Sequence, residues 1–328
     1  MNRFLLALAL LVAPLGIAAQ QNPDLALTKE ERDSVLANYD QIFPIWGRKA
    51  IERGFSLPAP LGFNIGGFYA NQDIVISDLG LGFNEPAQPV DFITFKTAQA
   101  KLTNFNVRTD LWVFPFLNVY VMAGMGNGQT TVHIAEPVEF TTVADFKGSN
   151  VGIGLTGAFG IKRNFAVVDF NHQWGFSSLL KSPVPVNVLS MRIGKAFRVG
   201  QRYKRMRATA WVGTMYQAMK NETVGSINLA DVIPPGTDSL FNNYQNSAWY
   251  QGLTPPQQAV VDKFVQGITD SLSTTVVNYT LNKKVADPWN LLLGGTYDVG
   301  RHWGLRGEVG FIGRKSFMLM ANYRVDWP

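Results

Sequence analysis

The stretch that decides the fold is Ser316-Phe317-Met318-Leu319-Met320-Ala321-Asn322-Tyr323-Arg324-Val325-Asp326-Trp327. It alternates without a break. Phe317, Leu319, Ala321, Tyr323, Val325 and Trp327 fall on one side, and Ser316, Met318, Met320, Asn322, Arg324 and Asp326 on the other. Side chains of a strand point to opposite faces with a period of two, so this segment has one wholly apolar face and one mostly polar face. It is also long enough, when tilted, to cross the hydrocarbon of a bilayer.

Apolar residues toward lipid, polar residues toward a lumen and a close on aromatics are the requirements of a transmembrane barrel strand. The segment resembles the C-terminal assembly signal of bacterial outer-membrane β-barrel proteins. It departs from that signal in Pro328, which follows the terminal aromatic. The resemblance implies an all-β, antiparallel transmembrane barrel in the outer membrane of a Gram-negative bacterium. It implies contact with outer-membrane lipid and lipopolysaccharide, and insertion by the barrel assembly machinery, with Phe317, Tyr323 and Trp327 as the residues that are read.

The start of the chain agrees. Met1-Asn2-Arg3 is a short basic region, Phe4 to Leu15 is nearly all apolar, and Gly16-Ile17-Ala18-Ala19 offers small residues for cleavage after Ala18 or Ala19. Residues 1–19 are therefore expected to be a secretory signal peptide. The chain has no cysteine, which excludes a disulfide framework, thiolate metal sites and a lipid-modified cysteine after the signal. Beyond the signal no apolar run is long enough for a membrane-spanning helix. Charged residues make up only 16%, and the mean hydropathy of +0.02 is that of alternating lipid-facing and lumen-facing positions. The formal net charge of +5 is too modest to argue for nucleic acid as a partner.

Residues 20–60 precede the first strand pattern. Thr28 and Glu31 have capping-box spacing, and Val35, Leu36, Tyr39 and Ile42 share a helical face, so residues 28–40 are expected to form a short helix. This segment is expected to be either a plug in the barrel or a periplasmic extension. In layout it is similar to the N-terminal plug of fatty-acid-transporter-like barrels.

From residue 61 to 328 the chain reads as strands and turns, with candidates at 61–70, 102–114, 117–126, 150–161, 164–174, 186–197, 205–219, 287–299, 302–313 and 316–327. That is ten strands. The count falls to eight if the first hairpin lies outside the membrane and rises to twelve if 71–83 adds a strand. Gaps alternate short and long, as periplasmic turns and extracellular loops do. Only Arg314-Lys315 is short where a long loop is due. The gap 220–286 carries Thr254-Pro255, a helix start, followed by Val260, Val261, Phe264, Val265, Ile268 and Leu272 at helical spacing. A helix covering part of the barrel mouth is expected there.

With apolar faces in lipid, the lumen candidates are Arg108, Asp110, Asp169, Asn171, Gln173, Arg192, Arg205, Arg207, Arg306, Glu308 and Arg324. On the lipid face at mid-depth an arginine costs about 2–4 kcal/mol; facing inward it can pair. Asp169 and Asp110 are the expected partners of Arg192 and Arg207. The expected role is bracing of a narrow barrel, with a cationic constriction as the alternative. The inward glycines between Gly152 and Gly160 are expected to make room for bulky facing side chains or a plug.

Three histidines are available. His172 falls on the lipid side with Ser177 and Ser178 nearby and Asp169 on the opposite face. His302 adjoins Trp303, and His133 has Glu136 and Glu139 near it without a recognised ligand spacing. An interfacial anchor suits the first two better than catalysis. No cofactor or catalytic residue is assigned. The expected function is passage or surface binding of a small solute, hydrophobic or amphiphilic. A surface adhesin or structural barrel is the alternative, and a lipid-modifying enzyme comes third.

Overall fold

The computed structural model describes residues 27–83, 86–90, 93–136, 139–161, 163–199, 206–219, 222–231, 241–270 and 276–327. The expected signal segment 1–19 and Arg205 lie outside them. Two short helices come first, α1 (Lys29–Ala37) and α2 (Gly47–Glu52). The capping box forms as its spacing predicts: the Glu31 N–H donates to Thr28 Oγ1 at 3.2 Å, and the Thr28 N–H to Glu31 Oε2 at 3.0 Å.

The strands follow: β1 (Leu61–Phe83), β2 (Gln88–Pro89), β3 (Thr94–Phe114), β4 (Leu117–Glu136), β5 (Phe140–Ile161), β6 (Asn164–Ser177), β7 (Val184–Arg198) and β8 (Met206–Met219). After them come β9 (Glu222–Asn228), β10 (Val276–Val285), β11 (Trp289–Val299), β12 (Trp303–Gly310) and β13 (Arg314–Val325). Each of the ten candidate segments corresponds to one of β1, β3 to β8 and β11 to β13, but β1, β3, β4 and β5 extend further, through 71–83, 94–101, 127–136 and 140–149, where gaps between strands are expected from the sequence. These strands pair antiparallel in the order β13-β12-β11-β8-β7-β6-β5-β4-β3-β1. The ring closes where β1 meets β13, from Leu61 opposite Val325 to Gln72 opposite Arg314. Closure leaves these strands without a free edge.

The exterior is apolar over a belt of strand. Val121, Ile153, Ile193, Val212, Leu293 and Phe317 each expose half or more of their surface. Residues of this size at such exposure would form an aggregating patch in water, and in lipid they are solvated.

Above the belt the polarity turns inside out. In β3 the outward residues are Phe105 and Val107 low in the wall but Gln99 and Lys101 higher up. The inward ones change from Asn104, Asn106 and Arg108 to Ala98, Ala100 and Leu102. In β4 outward Val119, Val121 and Met125 give way to Gln129, Thr131 and His133, while Val132 and Ile134 turn inward. Each of β1, β3, β4 and β5 thus has a lower part made for lipid and an upper part made for water.

The gap 220–286, expected to be a loop with a helix, also contributes β9 and β10. Because β13 begins at Arg314, opposite Gln72, the upper half of β1 has no neighbour in the ring. β10 takes that edge, from Ile74 opposite Val285 to Phe83 opposite Val277. β9 pairs with β10, and Gly225 reaches the β6–β7 connection through an isolated bridge to Leu180. An unpaired β1 edge would be a site for aggregation, and this hairpin covers it while completing a collar above the belt.

Two helices, α3 (Ala248–Gln251) and α4 (Pro255–Asp270), lie over the collar. The start of α4 follows the sequence: Pro255 opens it, and Thr254 and Gln257 bond at 2.8 Å. Val261 and Val265 of α4 are buried with Tyr250, Phe241, Val90, Phe140 and Val277, so the helices are cemented onto the collar strands. Tyr244 and Tyr250 both donate to Asp262, at 2.6 and 2.9 Å. No helix among the described residues is long and apolar enough to cross a membrane.

Candidate functional site: the lumen

The lumen is one cavity of about 1200 Å³ running from Gly54–Pro58 at the short-turn end to Phe264 under the helices at the other. Arg108, Asp110, Asp169, Asn171, Gln173, Arg192, Arg207, Arg306, Glu308 and Arg324 all line it, as strand parity predicts.

Their pairing differs from the expected one. Arg192 binds Glu308 rather than Asp169 or Asp110, with Nε at 2.6 Å and Nη2 at 2.9 Å. Glu308 also accepts from Trp211 Nε1 at 2.9 Å and Arg306 Nη2 at 3.3 Å. Arg207 pairs with Asp298 at 3.3 Å near the short-turn rim. Asp110 is nearly enclosed and accepts from Arg324 at 2.8 Å, Asn64 at 2.7 Å and Asn118 at 2.7 Å. Asp169 takes bonds from Thr156 at 2.6 Å and from Tyr120 at 2.9 Å, and the Arg108 guanidinium lies 3.5 Å above the Tyr120 ring. Asn171 and Gln173 continue the chain to Asn150 and Asn104. Of these, Arg192–Glu308, Trp211–Glu308, Arg324–Asp110, Tyr120–Asp169 and Asn104–Asn150 join strands that are not neighbours in the ring, so the network fills and braces the lower lumen.

Of the inward glycines of β5, Gly154 makes room for a bulky facing side chain as the pattern predicts, while Gly160 has no side chain near it. A Cβ on Gly154 would fall 2.3 Å from Tyr120 Cζ. The same device operates where Trp211 lies over Gly294 and Phe146 over Gly128.

Residues 41–60 meet the short-turn end. Ile45 N–H donates to Val113 O at 2.8 Å, Trp46 packs on Phe114 at 5.0 Å, and Gln41 bonds Asp326 at 2.7 Å. Gly54 to Pro58 line the lumen itself. Arg324 ties this segment to the wall by donating to Ala59 O at 2.7 Å and Pro60 O at 3.0 Å while holding Asp110. That second role was not visible in the sequence, because carbonyl acceptors leave no mark on residue identity.

Above the braced floor the lumen continues as a chamber within the collar. Its wall is apolar: Ile74, Ile76, Leu81, Val132, Val277 and Leu281 line it. Arg314 and Lys283 also face it, and neither was among the expected lumen residues.

The histidines lie elsewhere. His172 bonds Asn187 at 2.8 Å and packs edge-on against Trp174 at 4.5 Å, on the outside of the wall from Asp169. His302 bonds the carbonyl of Arg324 at 2.7 Å, and His133 bonds Thr141 at 2.7 Å while Glu139 pairs with Lys96. Among the described residues no group of three acidic or imidazole side chains could hold a metal.

The fold is that of an outer-membrane β-barrel. The solved structures it resembles are of that kind. One is the outer membrane protein OprG from Pseudomonas aeruginosa (11% identity, 82% of this chain and 99% of that one, TM-score 0.37). A second is the beta domain of the Bordetella autotransporter Brka (10% identity, 80% and 100%, TM-score 0.38). A third is the toluene transporter TbuX of Ralstonia pickettii (8% identity, 82% and 90%, TM-score 0.29). At these values the likenesses carry no argument about function. No family model and no curated protein matches the chain.

Proposed function

We propose that the chain is exported on a cleaved signal to the outer membrane of a Gram-negative bacterium, and that its lumen binds and passes a small hydrophobic or amphiphilic solute. The observation that carries this reading is the apolar chamber between the braced floor and the α4 roof, part of a cavity of about 1200 Å³. A collar that served only as a packed interior would be filled by side chains to crystal-like density. Concave, mostly apolar cavities of several hundred Å³ with a few placed polar groups are the usual form of a small-molecule site.

The lower lumen argues against a wide aqueous pore. Arg192–Glu308 and Arg324–Asp110 are braces, each with its charges mutually satisfied. Gly54–Pro58 form a plug at the periplasmic mouth, and the helices form a lid on the outside of the cell. Passage then requires the plug to yield after the lid has admitted the solute. The apolar belt contacts outer-membrane lipid and lipopolysaccharide, and the barrel assembly machinery reads the strand bearing Phe317, Tyr323 and Trp327.

The test is direct binding of a neutral apolar probe. Purified barrel in nanodiscs of zwitterionic lipid is titrated with tritiated decanol in a scintillation proximity assay, and empty discs give the lipid background. Saturable binding of one decanol per barrel, displaced by unlabelled decanol and not by glucose, is expected. Uptake equal to that of empty discs would refute the reading.

A further inference from the structure

We propose that the chamber takes an amphiphilic anion, its one charged head held between Arg314 and Lys283 and its hydrocarbon body along the collar wall; this rests on the solute-binding reading above. Both side chains line the cavity. Arg314, the first residue of β13, sits opposite Gln72 of β1, and Lys283 of β10 sits opposite Ile76 of the same strand. Four residues of strand separate the two levels by about 13 Å, and two long flexible cations on one inward face close much of that distance.

Most of the braced lumen arginines have a counter-charge: Arg192 and Arg306 share Glu308, Arg207 has Asp298, and Arg324 has Asp110. Arg108 makes no ion pair, but it lies in the polar floor, donating to Asn118 and stacked on Tyr120, whose hydroxyl bonds Asp169. Among the described residues neither Arg314 nor Lys283 has a carboxylate within ion-pair reach. Arg314 donates to the neutral Gln217 amide and approaches the Met215 sulfur at 3.4 Å, with the Phe68 ring 6.0 Å away. Its Nε is buried without a hydrogen-bond partner. Lys283 lies in the collar, above the belt, where burial pushes its ammonium below the ordinary value.

A buried cation without a partner is costly, and two of them on one apolar cavity leave a local positive potential with nothing to neutralise it. A carboxylate, sulfonate or phosphate head would satisfy both, and charge-assisted bonds to guanidinium and ammonium are the strong kind. The wall beside them selects the rest of the ligand. Ile74, Ile76 and Leu281 line the chamber at the same levels, so a hydrocarbon chain attached to the head is buried while a bare inorganic anion leaves that surface empty.

The test compares tritiated decanesulfonate with tritiated decanol, in the nanodiscs used above. The sulfonate keeps its charge at every working pH and shares the same chain. Wild type is expected to bind the sulfonate about tenfold tighter than the alcohol. That preference should vanish in Arg314→Gln combined with Lys283→Met, and persist in Arg314→Lys, with heat-modifiable bands confirming that each variant is folded. Adding phosphatidylglycerol to the discs separates two sources of the same chemistry. Displacement of the sulfonate assigns the site to an anionic lipid, and no displacement assigns it to a free amphiphile. An unchanged preference in the folded double variant, or decanol bound as tightly as the sulfonate by wild type, would overturn the head-group assignment and leave the apolar chamber standing. Failure of both probes would refute the solute-binding reading itself.

Discussion

Arg192 of β7 and Glu308 of β12 join in a two-pronged ion pair across the lumen, Nε to Oε2 at 2.6 Å and Nη2 to Oε1 at 2.9 Å, although β8 and β11 stand between their strands. Both side chains are about nine-tenths buried, at 11% and 8% exposure. Removing one partner leaves the other charge uncompensated, which costs about 3–5 kcal/mol. Arg192→Ala and Glu308→Ala are each expected to lower the temperature at which the folded band is lost in semi-native electrophoresis. Arg192→Met with Glu308→Leu and Arg306→Met should recover much of the loss, because none of the three mutually paired charges remains. Equal instability of the single and triple variants would contradict bracing by this group.

Gly154 sits where a Cβ would come within 2.3 Å of Tyr120 Cζ. Tyr120 is itself buried and cannot swing away without losing Asp169 at 2.9 Å and the Arg108 guanidinium on its face. Gly154→Ala is therefore expected to destabilise by roughly 1–3 kcal/mol, as overpacking does. Gly157→Ala on the same strand, with its nearest neighbour at 3.6 Å, should be near neutral. Thermal midpoints of the two variants measured together decide it.

The hydrogen bonds between Asp262 and the two tyrosines give the lid a pH window. Burial works against the Asp262 carboxylate, but bonds from Tyr244, Tyr250 and Gln245 outweigh it and hold the group below its ordinary value of 3.8. Its contribution is complete above 3.8 and is lost as pH falls through the lower folded value. Tyr244 is pushed from 10.0 up to about 12 by burial and by its bond to Asp262. Its contribution is complete below 10.0 and is lost as pH rises toward about 12. A spin label on Ala259→Cys, in a chain with no other thiol, should be immobile between these limits and mobile beyond either. Tyr244→Phe combined with Tyr250→Phe should abolish the alkaline transition, because both hydroxyls donate to Asp262, and a label equally mobile at neutral pH would contradict a docked lid.

The membrane part of the barrel was legible because lipid forces a simple rule. Apolar residues must face out at mid-depth, so Phe317 to Trp327 and the other nine segments announce both their existence and their parity. The collar obeys the opposite rule. In β10 the inward residues are Val277, Tyr279, Leu281 and Val285, while Asn278, Thr280, Asn282 and Lys284 face water. That alternation is present in the sequence but inverted, and within a long gap it reads as loop. The connection between the last two strands, expected at Arg314-Lys315 and found at Phe311–Gly313, is short where a long loop was due, and it was the one sign that another segment must complete the wall above β13. Individual pairings were not legible. Parity places Arg192 inward but does not say which acid it meets, because strands that are not neighbours reach one another only once the ring has closed. Arg314 reads as a turn residue for a related reason: it precedes the alternating stretch and faces a chamber whose walls come from strands distant in sequence.

Labelling of single cysteines on intact cells is the most direct test of a barrel that spans the outer membrane with its lid outside and its plug within. Asn246 lies in the lid between Tyr244 and α3, and Arg48 lies in α2 at the short-turn end. An impermeant maleimide should label Asn246→Cys on intact cells, and should label Arg48→Cys only after the outer membrane has been permeabilised. Labelling of position 48 but not 246 on intact cells would contradict the orientation, and equal labelling of both in a soluble periplasmic or secreted fraction would contradict the membrane barrel itself.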